Sequence, residues 1–183
     1  MTAEVIVTTT TTRPKPGRYV IDVPRSEISF TTKHMFGLGN VRGSFRLRGG
    51  TVSVSEPLTG SRIHAVADAA SFDTGNKNRD RQVVSKALLD TATYPDIVFT
   101  STRAEQGEVG EWVLPGLLTA HGVRVPITFT VAKASVHGDE IAVEATATVD
   151  RYAHGITKLK GMAARRLWLT ATVRALRDNG SPA

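Results

Sequence analysis

Segment after segment of this chain places an apolar side chain at every second residue, and few folds accept that pattern. Residues 27–34 put Ile28, Phe30, Thr32 and His34 on one face, and residues 41–48 set Val41, Phe45 and Leu47 against Arg42, Arg46 and Arg48. The same period of two runs through residues 97–102, 112–114, 123–131 and 141–149. It ends in a run with Leu167, Leu169, Ala171 and Val173 on one side and Arg166, Trp168, Thr170 and Arg174 on the other. Alternation of this kind marks half-buried strands, and the richness in valine and threonine supports strands over helices. Many short, evenly spaced strands in one chain predict an all-β closed barrel or a sandwich, and periodicity alone does not choose between them.

Turn chemistry punctuates the strands. Gly49-Gly50, His121-Gly122 and His137-Gly138-Asp139 are read as turns, the last as a tight hairpin. Pro126 inside a strand is expected at an edge, a bulge or a strand start, because it has no N–H for a second neighbour. One stretch reads as helix: residues 78–89 carry Val83, Val84, Ala87 and Leu88 at spacings of three and four, with Asn78 or Asp80 available as cap. Alanines along residues 141–149 either leave room inside a barrel for a ligand or accept bulky neighbours across a filled core.

At 183 residues the chain fits one domain. Residues 1–16 read as a disordered leader ending in Arg13-Pro14-Lys15-Pro16, residues 17–176 as the barrel, and residues 177–183 as a polar tail. There is no cysteine, which excludes disulfides, iron–sulfur clusters, thiolate zinc and a catalytic thiol. A formal charge of +6 fits either an anionic partner or ordinary solubility. Nucleic acid is not expected, because no aromatics interleave with Arg42, Arg46 and Arg48 as a stacking platform requires, and these read as a solvated strand face. No secretory signal and no apolar run near the ~18–20 residues of a membrane span is visible, so a cytoplasmic protein without an integral membrane segment is expected.

The catalytic motifs are thin. None of the histidines, His34, His64, His121, His137 and His154, pairs at HxH or HExxH spacing, and no metal is expected. No nucleophile elbow, Walker loop or dinucleotide fingerprint occurs, and the carboxylates Asp68, Asp73, Asp80 and Asp90 are scattered, so no cofactor and no catalytic residue is expected. Residues 70–80 form a dense polar stretch that reads as a structural loop, with a lid over a cavity as the second reading; Arg79 and Asp80 are expected to tie it to the barrel end.

Several motifs in order give a resemblance. They are Tyr19-Val20-Ile21-Asp22, Ile28-Ser29-Phe30 leading to His34, Val41-Arg42-Gly43-Ser44-Phe45, and Ser71-Phe72-Asp73-Thr74-Gly75-Asn76 with Arg79-Asp80. Tyr94-Pro95-Asp96-Ile97-Val98-Phe99-Thr100-Ser101, then residues 116–122, and Arg151 with Gly155-Ile156 complete the set. In this the chain resembles the YceI-like family of lipocalin-like barrels. The resemblance implies a single eight-stranded antiparallel barrel, with one short helix, whose interior holds a polyisoprenoid such as an isoprenoid quinone or polyprenyl phosphate. Many members of the family are periplasmic, unlike the reading of this N-terminus, and many pair, so a homodimer is possible.

Two departures from the family stand out. His154 occupies the place directly before Gly155 where an aromatic is usual, which makes that part of the interior more polar. Residues 85–90 lack the phenylalanine that tends to lie near Leu88 and Leu89. Under the resemblance the lining is expected to comprise Phe30, Phe36, Leu38 and Phe45 from the first strands, Leu88 and Leu89 after the helix, and Phe99, Leu117 and Phe129 from later strands. His34 and His154 are the expected polar contacts. The main expectation is a non-catalytic carrier of a long isoprenoid lipid. The alternatives are an enzyme using His34 or His154 on an isoprenoid-type substrate, and a stress or interaction protein with a packed barrel.

Overall fold

A computed structural model describes residues 13–34 and 39–180, apart from the His34 side chain. The strands are β1 (Gly17–Ile21), β2 (Glu27–His34), β3 (Gly39–Phe45), β4 (Leu47–Val54), β5 (Arg62–Asp68) and β6 (Asp96–Ser101). They continue with the two-residue β7 (Glu105–Gln106), β8 (Trp112–Ala120), β9 (Val123–His137), β10 (Glu140–Asp150) and β11 (Ala163–Arg177). Among the described residues one α-helix, α1 (Lys77–Val84), interrupts them.

The eight strands β1, β4, β5, β6, β8, β9, β10 and β11 pair antiparallel in that order, and β11 returns to β1 to close the barrel. Two of its staves are bent. β1 and β2 run along β11 one after the other, broken by a single turn at Val23–Arg25 where Pro24 interrupts the ladder. β3 and β4 are likewise parted only at Arg46. The β2–β3 hairpin therefore extends one side of the barrel beyond its closed part, and the edge of β3 is tied down by Ser44 and Asp73, whose backbones exchange hydrogen bonds of 2.9 and 3.1 Å.

The turns at His121-Gly122 and Gly138-Asp139 are two-residue hairpin turns. His121 and Gly122 both have positive φ (52° and 72°), the type I′ geometry that suits right-twisted strands. Gly49-Gly50 is not a turn but lies within β4, beside a register shift. Gly50 is there because a β-carbon would strike the His64 carbonyl and, at 2.7 Å, the Ile21 side chain. The helix is shorter than its spacing predicts. Asn76 caps it by accepting from the N–H groups of Asn78 and Arg79, and it stops at Val84 because Ser85 is extended, which leaves Leu88 and Leu89 in the following turns.

Pro126 lies where β9 has one neighbour. β9 pairs with β8 from Val123 to Thr130, but with β10 only from Thr130 to His137. Beyond that point β9 and β10 diverge, and the barrel is open on this side at the end where β10 passes into β11.

Candidate ligand cavity

The inside of the barrel is not uniformly filled. At the end that holds the chain's first strand, Tyr19, Ile21, Val54, Ile141 and Ala175 are buried against one another and against Val23, Val52 and Val173. At the other end lies a cavity of about 220 Å3. Its wall is apolar except for Thr32, Lys33, Arg79, Arg151 and His154.

Two aromatic groups shape it. Phe30, Phe45 and Phe72 pack with ring centroids 5.2–5.7 Å apart, and Phe99 meets Phe129 edge-on at 4.9 Å. Between them the wall recedes at Ala65, which pairs with Phe99, and at Ala67, Ala120, Ala163 and Ala164. Gly116 has the same origin, since a β-carbon there would lie 2.7 Å from the Phe99 ring.

A strap of chain, residues 69–95, crosses the open end. It is fixed at its start, where the Ser71 hydroxyl accepts from the Arg46 N–H and Asp73 pairs with Ser44. It then contributes Phe72, Arg79, Val83, Leu88 and Leu89 to the wall. Between Thr74 and Val84 its hydrogen bonds are internal among the described residues: Asp80 accepts from the Thr74 hydroxyl at 2.5 Å, and Arg79 Nε donates to the same oxygen at 2.8 Å. Arg79 and Asp80 therefore fold the strap on itself, and do not tie it to the barrel as the sequence predicts.

The opposite side is closed by the β10–β11 connection. Arg151, 8% exposed, donates to the carbonyls of Ala164, Ile156, Lys158 and Ala163 at 2.6–2.9 Å. Burial pushes its pKa down from the ordinary arginine value, and carbonyl dipoles take the place of a carboxylate. The neighbouring Asp150 is held by Arg165, whose hydrogen bonds keep that carboxyl below its usual range. His154 bridges the opened barrel wall: Nδ1 donates to the Val123 carbonyl on β9 at 3.0 Å, while His121 donates to the His154 carbonyl at 3.2 Å.

Of the residues expected in the lining, Phe30, Phe45, Leu88, Leu89, Phe99, Phe129 and His154 border the cavity. Phe36, Leu38 and the His34 side chain lie outside the described residues. Leu117 is misplaced: it is 38% exposed, and Leu118 takes its position. Two adjacent leucines leave parity open, and Gly116, Leu118 and Ala120 settle it as the inward set. The alanines of β10 do not make the space, because Ala145 is buried outside the cavity and only Val149 of that strand borders it. Sequence reasoning missed Phe72, Val83, Arg151 and the receding alanines. The parity of Leu167 and Leu169 did point inward, and both line the wall.

Comparison with known proteins agrees with this architecture. The chain is 32% identical over 113 residues to a UPF0312 protein of Vibrio campbellii, an alignment covering 60% of this chain and 59% of that one. A UPF0312 protein of Pseudomonas syringae pv. tomato is 34% identical over 125 residues, 66% of this chain and 62% of that one. The chain thus spans about three fifths of the length of the curated relatives it matches. Among solved structures, BcnA of Burkholderia cenocepacia superposes with a TM-score of 0.73 at 22% identity, covering 84% of this chain and 98% of that one. A polyisoprenoid-binding domain from Saccharophagus degradans, implicated in plant cell wall breakdown, gives 0.67 at 16%, covering 89% and 99%. These last two show the shared barrel. The profile of the YceI-like domain matches residues 19–175, nearly the whole described barrel, and the chain belongs to the YceI-like family.

Proposed function

We propose that this protein binds a long apolar lipid, a polyisoprenoid, in the hollow end of its barrel and catalyses nothing. The cavity carries the reading. Protein interiors are close-packed, yet here the side chains leave an apolar space of about 220 Å3 that opens at one end. A sequence selected only for stability would fill it, and the wall instead recedes at small residues. The polyisoprenoid-binding domain with the same fold supports the isoprenoid class, as quinone or polyprenyl phosphate.

Burying ~400 Å2 of isoprenoid chain at ~25 cal/mol per Å2 yields about 10 kcal/mol gross, before ordering costs. An apolar wall is therefore enough for tight binding. The exposed Lys33 and half-buried Arg79 mark the mouth, through which the rest of a long chain runs. Two of the polar wall residues are engaged in holding the structure: the Thr32 hydroxyl donates to the Arg166 carbonyl, and Arg151 grips four carbonyls.

Native mass spectrometry of the purified protein, with organic extraction and lipid identification, tests the proposal. A stoichiometric isoprenoid adduct is the expected result. Bare protein that also takes up neither added polyprenyl phosphate nor quinone would overturn it.

A further inference from the structure

His154 is 2% exposed, borders the cavity and has its ring orientation fixed from behind. The Val123 carbonyl can only accept, so Nδ1 carries a proton, and the tautomer this bond selects is the one whose Nε2 is the acceptor. No donor among the described residues reaches Nε2. Arg151 is committed to carbonyls, the Thr32 hydroxyl to Arg166, and the facing ring nitrogen of His121 to the His154 carbonyl. Yet no buried side-chain nitrogen or oxygen among these residues is sealed off without a partner, so Nε2 keeps open space beside it. The space that His154 borders is the cavity.

Resting on the lipid-binding reading above, we infer that His154 Nε2 accepts a hydrogen bond from the head group of the bound lipid. The site therefore takes a neutral chain ending in an O–H or N–H donor, such as a prenyl alcohol or a hydroquinone, in preference to the same chain without one. The head lies at the closed side and the tail runs to the mouth. Water is a poor substitute there, because a lone acceptor in an apolar wall gives it fewer than the two to four polar partners it needs. A ligand without a donor leaves Nε2 dry and unpaired, which is the costly half of hydrogen-bond energetics. The ring is already aligned, so the contact loses little to ordering.

The test compares a C20 prenyl alcohol with its methyl ether, which removes the donor and keeps the chain. The wild-type protein should bind the alcohol about tenfold more tightly, the loss expected for one unpaired buried acceptor. His154→Phe should bind both alike, whereas discrimination based on the bulk of the extra methyl would persist in it. Equal binding of the two lipids by the wild type, or an undiminished preference in His154→Phe, would overturn the inference and leave the lipid reading standing. Failure of the wild type to bind either would remove both. Because His154→Phe also loses the bond to Val123, 15N spectra of the wild-type histidine rings provide a second readout. The Nε2 resonance of His154 should move with the alcohol and not with the ether; no movement with the alcohol refutes the contact.

Discussion

The two ends of this barrel are built from the same alternating strands and finish differently. At the packed end Tyr19 is fully buried, Ile21 and Ala175 face each other across β1 and β11, and Glu140 is gripped by Arg25 and Arg174. At the hollow end the strands part, the neighbours of the phenylalanines are alanines, and closure is left to a strap and a histidine. The contrast shows how a small barrel combines stability with a binding space: one end is filled to hold the fold, which lets the other remain open.

The largest expected effect tests that division directly. Ile21→Ala at the packed end should cost about 4 kcal/mol, whereas Leu118→Ala at the hollow end should cost about 2, the low end for such truncations, because Leu118 already lacks contacts on its cavity side. Urea denaturation of lipid-free protein measures both. Equal losses would mean that the two ends carry stability alike.

Adding volume should keep that order for stability and bring out the hollow end in binding instead. Ala175→Leu has no space to enter and is expected to lose about 2 kcal/mol by overpacking. Ala120→Leu projects into the cavity, should leave stability within about 1 kcal/mol of wild type, and should weaken lipid binding at least about tenfold by occupying the space. A destabilised Ala120→Leu with intact binding would put the cavity elsewhere.

A smaller effect is expected in the strap. Its hydrogen bonds between Thr74 and Val84 are local, so amides of α1 should exchange with deuterium well before those of β10 and β11, and bound lipid should slow them. Exchange of α1 as slow as that of the central strands would show a fixed wall.

The sequence made the strands legible because period two survives in nearly every one, while the choice of a barrel, and of Phe30, Phe45, Phe99 and Phe129 as its lining, came from the family resemblance. The hollow end was less legible because a cavity is a property of what faces what. Ala65 and Ala67 on β5, Ala120 on β8, and Ala163 and Ala164 on β11 come together only through pairings remote in sequence. The alanines of β10 allowed either reading, and Ala145 sits across from Ala171 in the filled part. Phe72 was hidden in a polar stretch, and its ring turns inward because Asp73, next to it, is pinned to β3. His154 was legible as a departure from the family, but its tautomer depends on Val123, 31 residues away.

The smallest expected effect compares the carboxylates that latch the two ends. Hydrogen bonds from Arg174, then from Arg25, hold Glu140 below the ordinary carboxylate range at the packed end, and Arg165 does the same for Asp150 at the hollow end. A carboxyl whose folded pKa is depressed contributes stability that is fully present above its unfolded value and disappears as pH falls through the folded one. Both contributions are therefore intact at neutral pH and lost in acid. Both pairs border solvent, so salt should weaken them. Glu140→Gln should flatten the acid limb of the stability profile, because Glu140 joins the β9–β10 hairpin to β11 and to the turn after β1, and so acts where the fold is held together. Asp150→Asn should flatten it less, because its bond to Arg165 secures only the connection that closes the cavity. Urea midpoints between neutral and acid pH measure the two slopes. If Asp150→Asn had the larger effect, the hollow end would be carrying the acid sensitivity of the fold, and the division of labour between the ends would be wrong.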